Sequence, residues 1–142
     1  PNDYSEMNND EKGVIYAVEK INNDIILSNF TLKENDDWSF TYISNEEYIN
    51  SQLSSEEYDI NLKTFYSNCN IMTKKSFFFK SVGDVFMVVF SYNNDGVEII
   101  NTIFQFIKNK KLYTAVGSSV KNSYRESFGE YITILESVYF KK

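Results

Sequence analysis

The sequence predicts an α+β fold, an antiparallel meander with a helical segment before it and another after it. Three observations carry this. Ser76 to Ser118 is a run of strand-like pieces rich in β-branched and aromatic residues. Three turn signals cut it, at Ser81-Val82-Gly83-Asp84, Asn93-Asn94-Asp95-Gly96 and Asn109-Lys110. Ser-x-x-Glu starts at Ser44 and Ser123 each precede apolar residues at helical spacing. Strands joined by connections this short are antiparallel neighbours.

In chain order, residues 1–12 are polar and acidic and read as a flexible leader, with little apolar surface to offset ordering. Val14 to Val18 suits a short strand and Ile25 to Leu32 a stronger one, bounded by Asn23-Asp24 and Glu34-Asn35-Asp36-Asp37. Trp38, Phe40 and Tyr42 alternate with Ser39 and Thr41, the period of a half-buried strand. Ser44-Asn45-Glu46-Glu47 fits a capping box and starts a helix bearing Tyr48, Ile49 and Leu53. Ser54-Ser55-Glu56-Glu57 repeats the signature: either the helix restarts there or the serines sit on its exposed face. Tyr58, Leu62 and Phe65 continue the spacing, which ends before Asn68-Cys69-Asn70.

In the meander, Phe77-Phe78-Phe79 places rings on both faces of the strand Ile71–Lys80. Val85–Tyr92 is apolar on both faces until Ser91, as a central strand covered on each side requires. Val97–Ile107 is similar, with polar breaks at Asn101, Thr102 and Gln105, and Leu112–Gly117 completes the run. The last helix starts at the Ser123-Tyr124-Arg125-Glu126 box and carries Phe128, Tyr131, Ile132 and Leu135. Gly129 inside it costs about 1 kcal/mol relative to Ala, which suggests close packing there.

With 142 residues, the chain reads as one domain over residues 13–142, large enough for its own core. Its 12 Phe, 11 Tyr and 1 Trp supply that core. The formal charge is −6, and Arg125 is the single arginine. That balance argues against nucleic-acid binding, which clustered Arg and Lys drive. The best basic patch, Lys108-Lys110-Lys111, reads as a solvated hairpin tip. There is no histidine, so Ser–His–Asp and Cys–His catalysis are excluded. Cys69 is the single cysteine, so no intrachain disulfide forms. No stretch of about 20 apolar residues is present to form a spanning helix.

No catalytic, cofactor or metal site is expected. Asn35-Asp36-Asp37 lacks the ligand spacing of a calcium loop. Glu46-Glu47 and Glu56-Glu57 sit at helix starts, where the dipole favours anions. Cys69 has no activating neighbour in sequence, Lys74 and Lys75 being the nearest charges. Trp38, with Tyr42 beside it, is the candidate partner-binding surface, since Trp is enriched at interface hot spots.

Ser44-Asn45-Glu46-Glu47-Tyr48-Ile49, the strand Leu112-Tyr113-Thr114-Ala115-Val116 and the ending Ile134-Leu135-Glu136-Ser137-Val138-Tyr139-Phe140 resemble the PsbP-like fold family. That family includes the photosystem PsbP proteins and the DcrB-like bacterial lipoproteins. The similarity spans roughly residues 25–140 and lacks the Pro-x-x-Trp opening of many members, Pro1 being the only proline. It implies an αβα sandwich and transfers no active site, because members mostly act as binding or assembly factors.

The functional expectation is a non-enzymatic binding or assembly module of the bacterial cell envelope. Its leader would tether it to a membrane anchor outside the chain, and a protein would be its partner. The alternatives are a cytoplasmic chaperone or adaptor for hydrophobic segments, and an enzyme built on carboxylates, Lys or Tyr. An apolar groove would favour the chaperone, and two convergent carboxylates the enzyme.

Overall fold

The computed structural model describes residues 5–6, 14–22, 25–35, 37, 40 and 42–138. The strands are β1 (Ser5–Glu6), β2 (Val14–Asn22), β3 (Ile25–Asn35), β4 (Asn70–Phe79), β5 (Gly83–Asn94), β6 (Val97–Lys108) and β7 (Lys111–Val120). The helices are α1 (Asn45–Ser54), α2 (Glu56–Phe65) and α3 (Tyr124–Glu136). The strands form one antiparallel sheet in the order β1-β2-β3-β7-β6-β5-β4, six of them long and β1 a two-residue edge piece. The α+β class and the meander β4-β5-β6-β7 are as the sequence predicts. Of the expected leader, Ser5 and Glu6 are described, and they pair with Glu19 and Val18 of β2.

Turn chemistry sets the hairpins. Asp95 and Gly96 have φ of 51° and 82°, and Asn109 and Lys110 have 53° and 64°. Two successive positive φ values are the geometry whose twist matches paired strands. Gly83, at φ 88°, opens β5 after the three-residue connection from β4.

β5 is buried on both faces from Val85 to Phe90. Val85, Met87 and Val89 join the core under α3, while Phe86, Val88 and Phe90 join the core under α1 and α2. It is an interior strand one place from the β4 edge, not the middle of the sheet, a position taken by β7. Phe77 and Phe79 turn to the α3 side and Phe78 to the other, as expected from alternation.

The Ser44 capping box forms: Glu47 N donates to Ser44 Oγ at 3.1 Å and Ser44 N to Glu47 Oε1 at 3.3 Å. The helix then breaks and restarts, with Ser55 Oγ accepting from Tyr58 N at 3.1 Å. Asn45 locks α1 to the sheet, donating from Nδ2 to the Asp84 carbonyl and accepting at Oδ1 from Ile107 N, both at 2.8 Å. On the opposite face, α3 crosses from β2, where Lys20 meets Glu126 and Glu130, to the β4–β5 turn, where Ser81 Oγ donates to the Leu135 carbonyl.

Four expectations are corrected. Phe40 and Tyr42 lie in short 3₁₀ turns, not a strand; Phe40 N donates to the Asp37 carbonyl, so the chain curls locally instead of extending along the sheet. Residues 38, 39 and 41, and Trp38 with them, lie outside the described residues. β2 runs on to Asn22, beyond Val18, because β3 offers it a full-length partner. Ser123 makes no cap hydrogen bond; a 3₁₀ turn at Lys121–Ser123 feeds α3 and leaves Ser123 in helical backbone, where its hydroxyl is not aimed at the helix start. Finally, Gly129 is exposed with open space at its Cβ position. The glycine required by packing is Gly117 on β7, where a Cβ would collide with the ring of Tyr131.

Candidate functional site: the open half of the sheet

A helix is about 10 Å across and strands lie about 4.8 Å apart, so a helix pair roofs only part of a wide sheet. Here α1 and α2 cover β4, β5 and β6. Past Leu112 of β7, which packs with Tyr48 of α1 and with Phe40 and Ile43, the same face of β7, β3 and β2 has no helix over it among the described residues. Its side chains, including Thr31, Asn29, Thr114, Val116, Ser118 and Ala17, are half-buried.

A polar seam marks where the roof ends. At one end, Gln52 Nε2 donates to Tyr48 Oη at 3.1 Å, and Tyr48 Oη donates to Gln105 Oε1 at 3.0 Å. Gln105 Nε2 then donates to Thr114 Oγ1 at 3.1 Å. At the other end, Ser118 Oγ donates to Asn101 Oδ1 at 2.6 Å, and the Asn101 side chain acts to lower the hydroxyl pKa of Tyr66 and Tyr92. Asn101 is buried, and its bonds compensate for removing an amide from water.

Beside Asn101 a groove of about 250 Å³ opens, floored by Asn29, Ser118 and Val120 and walled by Tyr92, Ile99 and Leu27. No charged side chain lines it. Behind Tyr92 stand Tyr66 and then Phe65, with ring centroids 4.7 and 4.9 Å apart. Phe65 is 81% exposed. Burial raises the hydroxyl pKa of Tyr48, Tyr66 and Tyr92, outweighing the hydrogen bonds that lower it. These hydroxyls are therefore neutral at physiological pH. The site offers amide and hydroxyl hydrogen bonds next to aromatic surface, a chemistry suited to holding an uncharged polar ligand.

The sequence candidates lie elsewhere. Tyr42 is 79% exposed, on the turn before α1 and away from the groove lining. Cys69 is half-buried against the α1–α2 core; burial raises its thiol pKa and Lys63, not Lys74 or Lys75, opposes the rise. Lys74 instead bonds Asp59 at 2.9 Å and the Ser55 carbonyl. Glu46 and Glu57 stay at exposed helix starts. At the hairpin tip, Lys111 pairs with Glu34 at 3.1 Å. The seam was visible in the sequence only as polar breaks in an apolar strand, at Asn101 and Gln105, and nothing singled out the groove residues Asn29, Tyr92 and Ser118.

No family model matches the chain, and no curated protein matches it in sequence. Solved structures do share its fold. PA94, a protein of unknown function from Pseudomonas aeruginosa, superposes with a TM-score of 0.59 at 6% identity, over 81% of this chain and 74% of its own. LpqN, involved in cell envelope biogenesis of Mycobacterium tuberculosis, gives a TM-score of 0.59 at 6% identity, over 91% of this chain and 73% of its own. Identity this low shows a common fold and nothing finer.

Proposed function

We propose that this chain is a non-enzymatic binding or assembly module of the bacterial cell envelope, of the PsbP-like family, held near a membrane by the segment before Lys12. Its binding surface is the open half of the sheet. The observation that carries this reading is the face of β2, β3 and β7 that no helix covers among the described residues past Leu112, ending in an uncharged groove beside Asn101 and Tyr92. A ligand seated there meets hydrogen-bonding groups already fixed by the sheet, which lowers the ordering cost of binding. The fold shared with LpqN supports the envelope assignment. The acidic charge and single arginine support a partner other than nucleic acid.

Expression of the gene with its native upstream sequence, followed by cell fractionation, tests the location. The proposal expects recovery with the membrane fraction and release when the residues before Lys12 are cleaved. Recovery in the cytosolic fraction alone would refute the tether.

A further inference from the structure

The sheet ends at β4, which pairs with β5 on one side and with no strand on the other among the described residues. β4 is ten residues long. A free strand edge of that length is a template for another strand, and proteins usually blunt it. Lys75 and a register irregularity between Ile71 and Thr73 are blunting devices. Two features work the other way. Met72 and Phe78 expose apolar surface along the edge, Phe78 at 65%. A cavity of about 540 Å³ lies beside Ser76, between β4 and the first turns of α1. Its lining carries Glu46 and Asp84, two carboxylates, and no cation.

Alternation places Ser76 and Phe78 on the face that holds this cavity, with Phe78 directly paired to Asp84. A strand added outside β4 would present every second side chain to the same face. We propose that β4 docks an extended peptide segment of a partner protein by β-augmentation, with a Lys or Arg of that segment entering the cavity between Glu46 and Asp84. The backbone supplies affinity and the cavity supplies the choice of side chain. Charge complementarity selects a basic residue, and the exposed Phe78 adds apolar surface on the same face of β4. A second copy of this chain is the poorer occupant, since antiparallel self-pairing about the middle of β4 brings Lys75 close to its own copy, and like charges facing each other across a strand pair destabilise it. This surface is separate from the groove beside Asn101, whose lining shares no residue with this cavity.

The test is selection of decapeptides from a random phage-displayed library on the purified protein, followed by hydrogen exchange of the complex. Selected peptides are expected to share one Lys or Arg and to protect amides within residues 70–79. Replacing that basic residue by norleucine, or introducing Glu46→Lys in the protein, should each weaken binding by about fivefold, the loss of one exposed charge pair. Glu46 is exposed and outside the capping contacts, so Glu46→Lys, which places a cation at the helix start, should lower the thermal midpoint only slightly and leave the protein folded. The inference is overturned if the library yields no binders, if binders show no basic preference, or if protection falls on another element. It is also overturned if concentrating the protein alone protects residues 70–79 through dimer formation.

Discussion

Two glycines separate what a residue type costs from what its position demands. Gly117 sits where the ring of Tyr131 presses on the sheet, and Tyr131 Oη bonds Ser28 at 2.7 Å beneath α3. Gly117→Ala forces that ring aside, so it should destabilise by about 1–3 kcal/mol, the range for overpacking a core. Gly129 lies on an exposed helix surface with open space at its Cβ position. Gly129→Ala should therefore stabilise by about 0.5–1 kcal/mol. Urea denaturation of the pair checks this, and equal effects would contradict the packing described. Cys69 makes a kinetic prediction: its raised pKa reduces the thiolate fraction, so alkylation at neutral pH should run slower than for free cysteine. A faster reaction would reveal an activating group near the thiol.

At the scale of elements, β5 carries the clearest energetic claim. Val88 is fully buried on the α1–α2 side, whereas Val97 is largely exposed at the start of β6. Val88→Ala should cost about 1–3 kcal/mol, and Val97→Ala less than about 0.5 kcal/mol. Comparable losses in denaturant would mean that β5 is not clamped between two cores. This strand was legible in the sequence because its burial is written in its own composition, as were the Asp95-Gly96 and Asn109-Lys110 turns, whose chemistry is local. The pairing of β3 with β7 was not legible. It joins Ser28–Asn35 to Leu112–Ser119 across most of the chain, and no local signal sets that register. The Phe40 and Tyr42 alternation misled because three residues cannot distinguish a strand from a turn. The Ser123 signature misled because a cap depends on backbone angles that the preceding 3₁₀ turn altered.

At the scale of the whole molecule, the aromatic content gives stability a pH signature. Burial raises the hydroxyl pKa of Tyr48, Tyr58, Tyr66, Tyr92, Tyr113 and Tyr124 above the ordinary 10.0. The folded state thus binds these protons more tightly than the unfolded chain. That contribution is fully present below pH 10.0 and is lost as pH rises through the folded values. The melting temperature should therefore fall steadily from about pH 10 upward, with tyrosinate absorbance lagging behind that of free tyrosine. A melting temperature unchanged through that range would contradict the burial of these hydroxyls. The candidate site belongs to this scale as well. Asn101 and Gln105 stand out as polar breaks, but the seam and the groove beside it depend on where two ten-residue helices end over the sheet, which no local signal gives.

Site-specific photo-crosslinking in cells tests that openness most directly. A photoreactive residue at Val116, on the face of β7 with no helix over it among the described residues, is compared with one at Arg125, on the outer surface of α3. The account predicts a discrete adduct from Val116, lost when Asn101→Ala disrupts the adjoining groove, and none from Arg125. Adducts from Arg125 alone, or from both positions alike, would contradict the assignment of the open half-sheet as the binding surface.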